Sequence, residues 1–162
     1  MIDRTTHRPA TDADGDFLRT MMAEAVNWRE SPDFDGSILR KPELAHYLDG
    51  WKRPTDFGIV AERRGQPVGA AWARHFSSAD PGYGYLDDGT PEVSIAVSAA
   101  SRGEGLGAAL LEALIDEARH RDLPAMSLSV EDGNRARGLY KKYGFTVVGR
   151  AGNSDTMVLV LA

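Results

Sequence analysis

The sequence predicts a single α/β domain whose mixed sheet is built around one parallel β-α-β crossover. Three observations predict it. Residues 92–97, Glu-Val-Ser-Ile-Ala-Val, alternate strictly, with Val93, Ile95 and Val97 on one face and Glu92, Ser94 and Ala96 on the other. Leu106, Leu110, Leu114, Ile115 and Ala118 then recur at helical spacing. Residues 125–130 return to a strand pattern, so strand, helix and strand close as a right-handed unit with parallel strands. Antiparallel hairpins flank this unit, and the remaining helices are expected to cover both faces of the sheet.

Each element has its own justification. A short strand around residues 6–8 leads into Pro9-Ala10-Thr11-Asp12, where Thr11 or Asp12 can cap a helix running to about Asn27. Phe17, Leu18, Met21, Met22 and Ala25 give that helix an apolar stripe. Pro42 suits the first turn of a second helix over 42–51, with Leu44, Tyr47, Leu48 and Trp51 on one side. Strands over 57–63 and 67–76 flank Arg64-Gly65-Gln66, which reads as a hairpin turn. Arg119, His120 and Arg121 fall in the last turn of the crossover helix, where its dipole favours cations. A short helix over 135–143 stops at Gly144. Strands over 145–150 and 156–161 form a final hairpin around Gly152-Asn153.

The bulk properties exclude several function classes. One domain spanning residues 1–162 is large enough for its own core, and 42% hydrophobic with 27% charged residues is ordinary for a globular protein. A net charge of −5 argues against a nucleic-acid partner and suits a small cationic one. With no cysteine there is no disulfide, thiol nucleophile or cysteine-held zinc. The four histidines lack metal-binding spacing, so no metal is expected. The N-terminus, Met1-Ile2-Asp3-Arg4-Thr5-Thr6-His7, lacks the apolar segment of a signal peptide, and no stretch approaches the ~20 apolar residues of a membrane span. The expectation is a cytoplasmic protein, monomeric or homodimeric.

Chemistry concentrates in two segments about thirty residues apart: Arg102-Gly103-Glu104-Gly105-Leu106-Gly107, opening the crossover helix, and Asn134-Arg135-Ala136-Arg137-Gly138-Leu139-Tyr140. Glycines allow close backbone approach, and a helix start attracts anions. Gly103-x-Gly105-x-x-Ala108 nearly satisfies a dinucleotide fingerprint. Five residues, 98–102, however separate it from the strand, too many for that turn. A nucleotide P-loop needs Lys-Ser/Thr where Ala108-Ala109 stand. The remaining alternative is that the glycines merely let helix pack on sheet.

The first segment resembles the R/Q-x-x-G-x-G/A motif of the GCN5-related N-acetyltransferase (GNAT) family. Asn134-x-Ala136-x-x-Leu139-Tyr140-x-x-x-Gly144-Phe145 resembles the same family's later cofactor segment. The resemblance covers about residues 57–145; the N-terminal helices fit the family's variable acceptor side. It implies a GNAT-like fold, acetyl-CoA as donor and a small-molecule amine as acceptor. The pyrophosphate would lie over Arg102, Gly103, Glu104, Gly105, Leu106, Gly107 and Ala108. Ile95, Ala96 and Val97 would pair with the pantetheine arm, an N–H near Val97 polarising the thioester carbonyl. The chain departs from the family pattern in having one residue fewer between the Asn and the Ala, which leaves open whether Asn134 caps the helix or also touches cofactor.

Two proton transfers remain. An alkyl ammonium is only about one part in 2,500 neutral at pH 7, so a base or water chain must take its proton. Glu92 is the candidate base, with Ser94 on its face to hold a relaying water; the alternative is a solvated carboxylate at a strand end. Tyr140 is the candidate acid for the departing thiolate, or else a core residue. The polar, aromatic connection over 77–91 carries Tyr83, Tyr85, Asp87 and Asp88, and a loop of that length is functional or merely surface. Trp28, Tyr47 and Trp51 would supply an apolar wall for the acceptor. A catalytically silent acyl-CoA-binding module would keep the glycine loop without needing Glu92 or Tyr140, and a dinucleotide-binding domain is the further alternative.

Overall fold

A computed structural model of the chain describes residues 4–161; Met1, Ile2 and Asp3 of the N-terminal reading, and Ala162, lie outside the described residues. Strands β1 (Thr5–Pro9), β2 (Phe57–Arg63), β3 (Gln66–Arg74), β4 (Glu92–Val97), β5 (Ala125–Glu131), β6 (Thr146–Ala151) and β7 (Ser154–Val160) form one sheet in the order β1-β2-β3-β4-β5-β7-β6. The α-helices among the described residues are α1 (Gly15–Val26), α2 (Pro42–Ala45), α3 (Leu106–His120) and α4 (Ala136–Lys142). β4 and β5 are parallel, with Glu92 facing Ser127. The pairs β1–β2, β2–β3, β5–β7 and β6–β7 are antiparallel. The mixed sheet with its parallel crossover is therefore the expected fold. None of the described helices is long and apolar enough to cross a membrane.

Two compact sets of residues can be described separately, one up to Ala73 together with Ser94–Leu114, the other comprising Arg74–Val93 and residues from Ile115 on. In the first, Thr11 caps the turn before α1. Its backbone N–H donates to Asp14 Oδ2 at 2.7 Å, while its hydroxyl accepts from Ala13 at 3.3 Å. Arg8 closes this box with a two-pronged pair to Asp14, both contacts at 2.8 Å. Leu18, Met21 and Met22 of the α1 stripe are buried, and Phe17 and Ala25 are half-buried.

The helix expected over 42–51 is a single turn, Pro42–Ala45. Beyond it three-residue turns, Tyr47 to Leu44 and Leu48 to Ala45, mix with one four-residue bond from Asp49 to Ala45, and Gly50 turns left-handed at φ +71°. The apolar reading holds even so, because those turns still bury Leu44, Tyr47 and Leu48. The β2–β3 turn is shorter than expected. Arg63 pairs with Gln66, and Arg64 and Gly65 both take positive φ, as a type I′ hairpin demands.

In the second set, α4 ends in a complete Schellman motif. Phe145 N–H donates to the Tyr140 carbonyl at 3.0 Å and Gly144 N–H to that of Lys141 at 3.1 Å, with Gly144 at φ +100°. β6 and β7 are joined by Gly152 and Asn153, with Gly152 at φ +58°. One face of β5–β7 is apolar, with Met126, Leu128, Val130, Met157 and Leu159 buried. The opposite face carries Ser127, Ser129 and Thr156, since Ser127 faces Val158 and Ser129 faces Thr156.

Candidate active site

The glycine loop follows β4 through a short turn over Ala99–Ser101 that begins where Ser98 N–H donates to the Val68 carbonyl at 2.8 Å. Residues 102–105 are exposed, and Leu106 is buried at the start of α3. Gly103 and Gly105 sit at φ +81° and +79°, with no atom within 4 Å of where a Cβ would stand. Their use is thus not clearance for packing. They supply left-handed backbone that side chains resist and leave open space over the chain. A glycine that does give packing clearance here is Gly69 on β3, where a Cβ would lie 3.0 Å from Leu110 Cδ1. Since Ala109 N–H donates to the Gly105 carbonyl, the N–H groups just before it are the free donors of the helix start. An exposed, side-chain-free turn feeding those donors fits a pyrophosphate.

Arg102 and Glu104 are both held by neighbouring side chains and backbone. Arg102 donates from Nε to the Val97 carbonyl at 3.2 Å, from Nη2 to Glu24 at 2.7 Å and from Nη1 to Glu30. Its guanidinium therefore ties the loop to the strand end and to the α1 region. Glu104 pairs with Arg63 at 3.0 Å, which neutralises a carboxylate that would otherwise repel phosphate. Ile95, Ala96 and Val97 are half-buried on β4.

Glu92 is no solvated strand-end carboxylate. It is 4% exposed, and its Oε1 accepts a hydrogen bond from the Gly84 N–H at 2.9 Å. Gly84 can make that bond only because it has no side chain, since a Cβ would stand 2.5 Å from the Leu128 carbonyl carbon and 2.8 Å from Ser129 N. The connection over 77–91 is thus pressed onto the β5 backbone at its centre. Nothing in the pattern around Gly84 signalled this partner. Nor did the pattern signal Ser127, whose strand β5 alternates serine with Met126, Leu128 and Val130.

Tyr140 is both a core residue and a held phenol. It is buried, its ring lies 5.9 Å from that of Phe145, and burial pushes its hydroxyl well above the ordinary tyrosine range. The Schellman motif makes Tyr140 and Phe145 the pair that packs across the helix end, which fixes the ring. Asn134 Oδ1 accepts from Ala136 N–H at 2.9 Å, so its oxygen serves the start of α4.

On the acceptor side, Asp87 Oδ1 accepts from Gly89 N–H at 3.0 Å, and Asp88 accepts from the Tyr85 hydroxyl. That bond to Asp88 pushes the Tyr85 phenol up to about 12. Tyr83 projects into solvent. The aromatic wall is partly structural: Tyr47 is buried, and its carbonyl accepts from Trp72 Nε1 at 3.3 Å. Trp51 Nε1 donates to the Thr11 carbonyl at 3.0 Å, and Arg29 stacks 4.2 Å over the Trp28 ring.

A parallel crossover whose helix begins on an exposed glycine turn is thus followed by a short helix that buries a tyrosine. The chain belongs to the acetyltransferase (GNAT) family, whose model matches residues 22–145. A mycothiol acetyltransferase of Acidimicrobium ferrooxidans is 34% identical over 88% of this chain. The chain spans 43% of that relative's length, less than half. Among solved structures, the ribosomal-protein-alanine N-acetyltransferase of Brucella melitensis is 29% identical, with TM-score 0.68 over 96% of this chain and 99% of its own. The protein yncA of Salmonella typhimurium, solved with its cofactor acetyl-CoA, is 28% identical, with TM-score 0.71 over 98% and 95%.

Proposed function

We propose that the protein is an acetyl-CoA-dependent N-acetyltransferase that moves an acetyl group directly to the amine of a small cationic molecule. The single observation that carries the donor assignment is the open, left-handed turn at Gly103 and Gly105 at the start of α3. The donor brings an activated acetyl thioester. The N–H groups of 103–108 hold its pyrophosphate, with Arg102 fixing the loop and Asn134 starting the helix that carries Tyr140. Ile95, Ala96 and Val97 offer backbone groups to the pantetheine arm, and an N–H near Val97 polarises the carbonyl.

Glu92 accepts the ammonium proton, leaving the amine nitrogen its lone pair for the carbonyl carbon. Freeing that pair at pH 7 costs roughly 4.6 kcal/mol for an ordinary alkyl ammonium, so a base is needed. Tyr140 gives its proton to the sulfur as the C–S bond breaks and regains one from the attacking nitrogen, which sheds its second proton as the amide forms; the raised pKa keeps the phenol protonated for that role. Without a cysteine to carry the acetyl group, transfer is direct. The carboxylates of Asp87, Asp88 and Glu92 favour a cation as acceptor, and the mycothiol acetyltransferase relative is named for a small molecule.

Calorimetric titration tests the donor: acetyl-CoA should bind near the micromolar range. Binding of NAD in its place would support a dinucleotide-binding domain instead.

A further inference from the structure

Ser127 sits at the centre of β5 with no exposed surface, and its hydroxyl makes no hydrogen bond within the described residues. It is the register partner of Glu92 on the neighbouring parallel strand, so both side chains leave the same face of the sheet about 4.8 Å apart at their origins. The connection that carries Gly84 covers this face, since Gly84 both touches the β5 backbone at Leu128 and donates to Glu92. Ser129 and the buried Thr156 add hydroxyl groups to it further along β5 and β7. Glu92 already accepts from Gly84, but a buried hydroxyl left without a hydrogen bond is costly. The paired residues stand one strand spacing apart and are not directly bonded, which is the arrangement a bridging water satisfies.

We infer that Ser127 is a positioning residue for the base, its hydroxyl holding a buried water that bridges to the Glu92 carboxylate and carries the acceptor's proton. This rests on the reading of Glu92 as base. In the step, an N–H bond of the ammonium breaks and the nitrogen keeps the electron pair. Water hands a proton to Glu92 as it receives one, so the carboxylate becomes the neutral acid and no further reactant is needed. Ser127 fixes the orientation of that water and never exchanges a proton with the substrate.

Two variants separate this role from packing. Ser127→Cys keeps the side-chain shape at a somewhat larger volume but bonds water poorly, and Ser127→Ala removes the bond outright. Both should lower kcat for the amine about tenfold while leaving the KM for acetyl-CoA unchanged. Ser127→Ala should be no more stable to heat than the parent protein, because the hydroxyl it removes is satisfied. A gain in melting temperature, an undiminished kcat in both variants, or full activity of Ser127→Cys would each overturn the inference. A high-resolution crystal structure reads the site without any turnover. It should show one ordered water within hydrogen-bonding distance of Ser127 Oγ and Glu92, and its absence overturns the inference. Loss of the broader reading looks different: the parent protein itself would then transfer no acetyl group.

Discussion

The N–H of Gly84 donates to Glu92 Oε1 at 2.9 Å, across a contact with β5 so close that no Cβ fits at residue 84. One missing side chain therefore joins the connection over 77–91 to the carboxylate of the proposed base. Gly84→Ala should force that segment off Leu128 and Ser129. We expect a stability loss of about 1–3 kcal/mol by overpacking, with turnover falling further than the unfolded fraction explains. Chemical denaturation alongside a rate assay at fixed folded concentration checks both.

Tyr140→Phe should lower kcat by about 10- to 100-fold and leave acetyl-CoA affinity unchanged. A thiolate is a tolerable leaving group, so the effect is a loss and not an abolition. Because burial raises the Tyr140 pKa, the phenol stays protonated throughout the neutral range. The alkaline side of the parent pH–rate profile should therefore show no descending limb below about pH 10 that Tyr140→Phe removes.

Most of the fold was legible in the sequence because strict alternation over 92–97 and helical spacing over 106–118 are local signals. The pattern failed where bonding, and not periodicity, set the structure. Tyr47 and Leu48 are buried by tight turns that imitate a helical stripe, so the spacing over 42–51 predicts a longer helix than α2. The glycine loop and Tyr140 were legible through motif spacing. Glu92's partner was not, because Gly84 meets it through a backbone N–H that no side-chain pattern encodes. Ser127 was invisible for a related reason: a serine within a buried strand looks like tolerated small volume until its register partner is known. The carboxylates that hold Arg102 lie more than seventy residues away, at Glu24 and Glu30.

Replacing Asp87 and Asp88 together with Asn should raise the KM for a cationic amine by about three- to tenfold, as expected for exposed charge pairs. The KM for acetyl-CoA should hardly change. The Tyr85 phenol reports that the intended contact was altered. It is held up to about 12 chiefly by its bond to Asp88, so its spectroscopic titration should move back toward the ordinary value of about 10. An unchanged amine KM would reduce the acidic segment to a structural role.

The Arg8–Asp14 pair ties β1 to the turn before α1 and makes stability acid-sensitive. The Arg8 guanidinium, followed by the Thr11 N–H, holds the Asp14 carboxyl below its ordinary value. A lowered folded-state pKa gives a contribution that is complete above the unfolded value of about 3.9 and disappears as pH falls through the folded one. Asp14→Asn should cost about 1–2 kcal/mol at pH 7, and parent and variant should converge as pH drops below about 4. Parallel denaturation curves at each pH give the comparison.

The central claim, acetyl transfer from acetyl-CoA to an amine, is tested most directly by release of free CoA thiol. Acetyl-CoA and the protein are incubated with a panel of small cationic amines, amino acids and peptides, and the acetylated products are weighed by mass spectrometry. Thiol release should be matched one for one by acetyl gain on a small cationic amine. Gly105→Glu, which puts bulk and negative charge on the open turn, should abolish both. Acetyl-CoA binding with no thiol release from any member of the panel would contradict the account and leave a silent acyl-CoA-binding module. Acetyl gain confined to peptides would contradict the choice of acceptor alone.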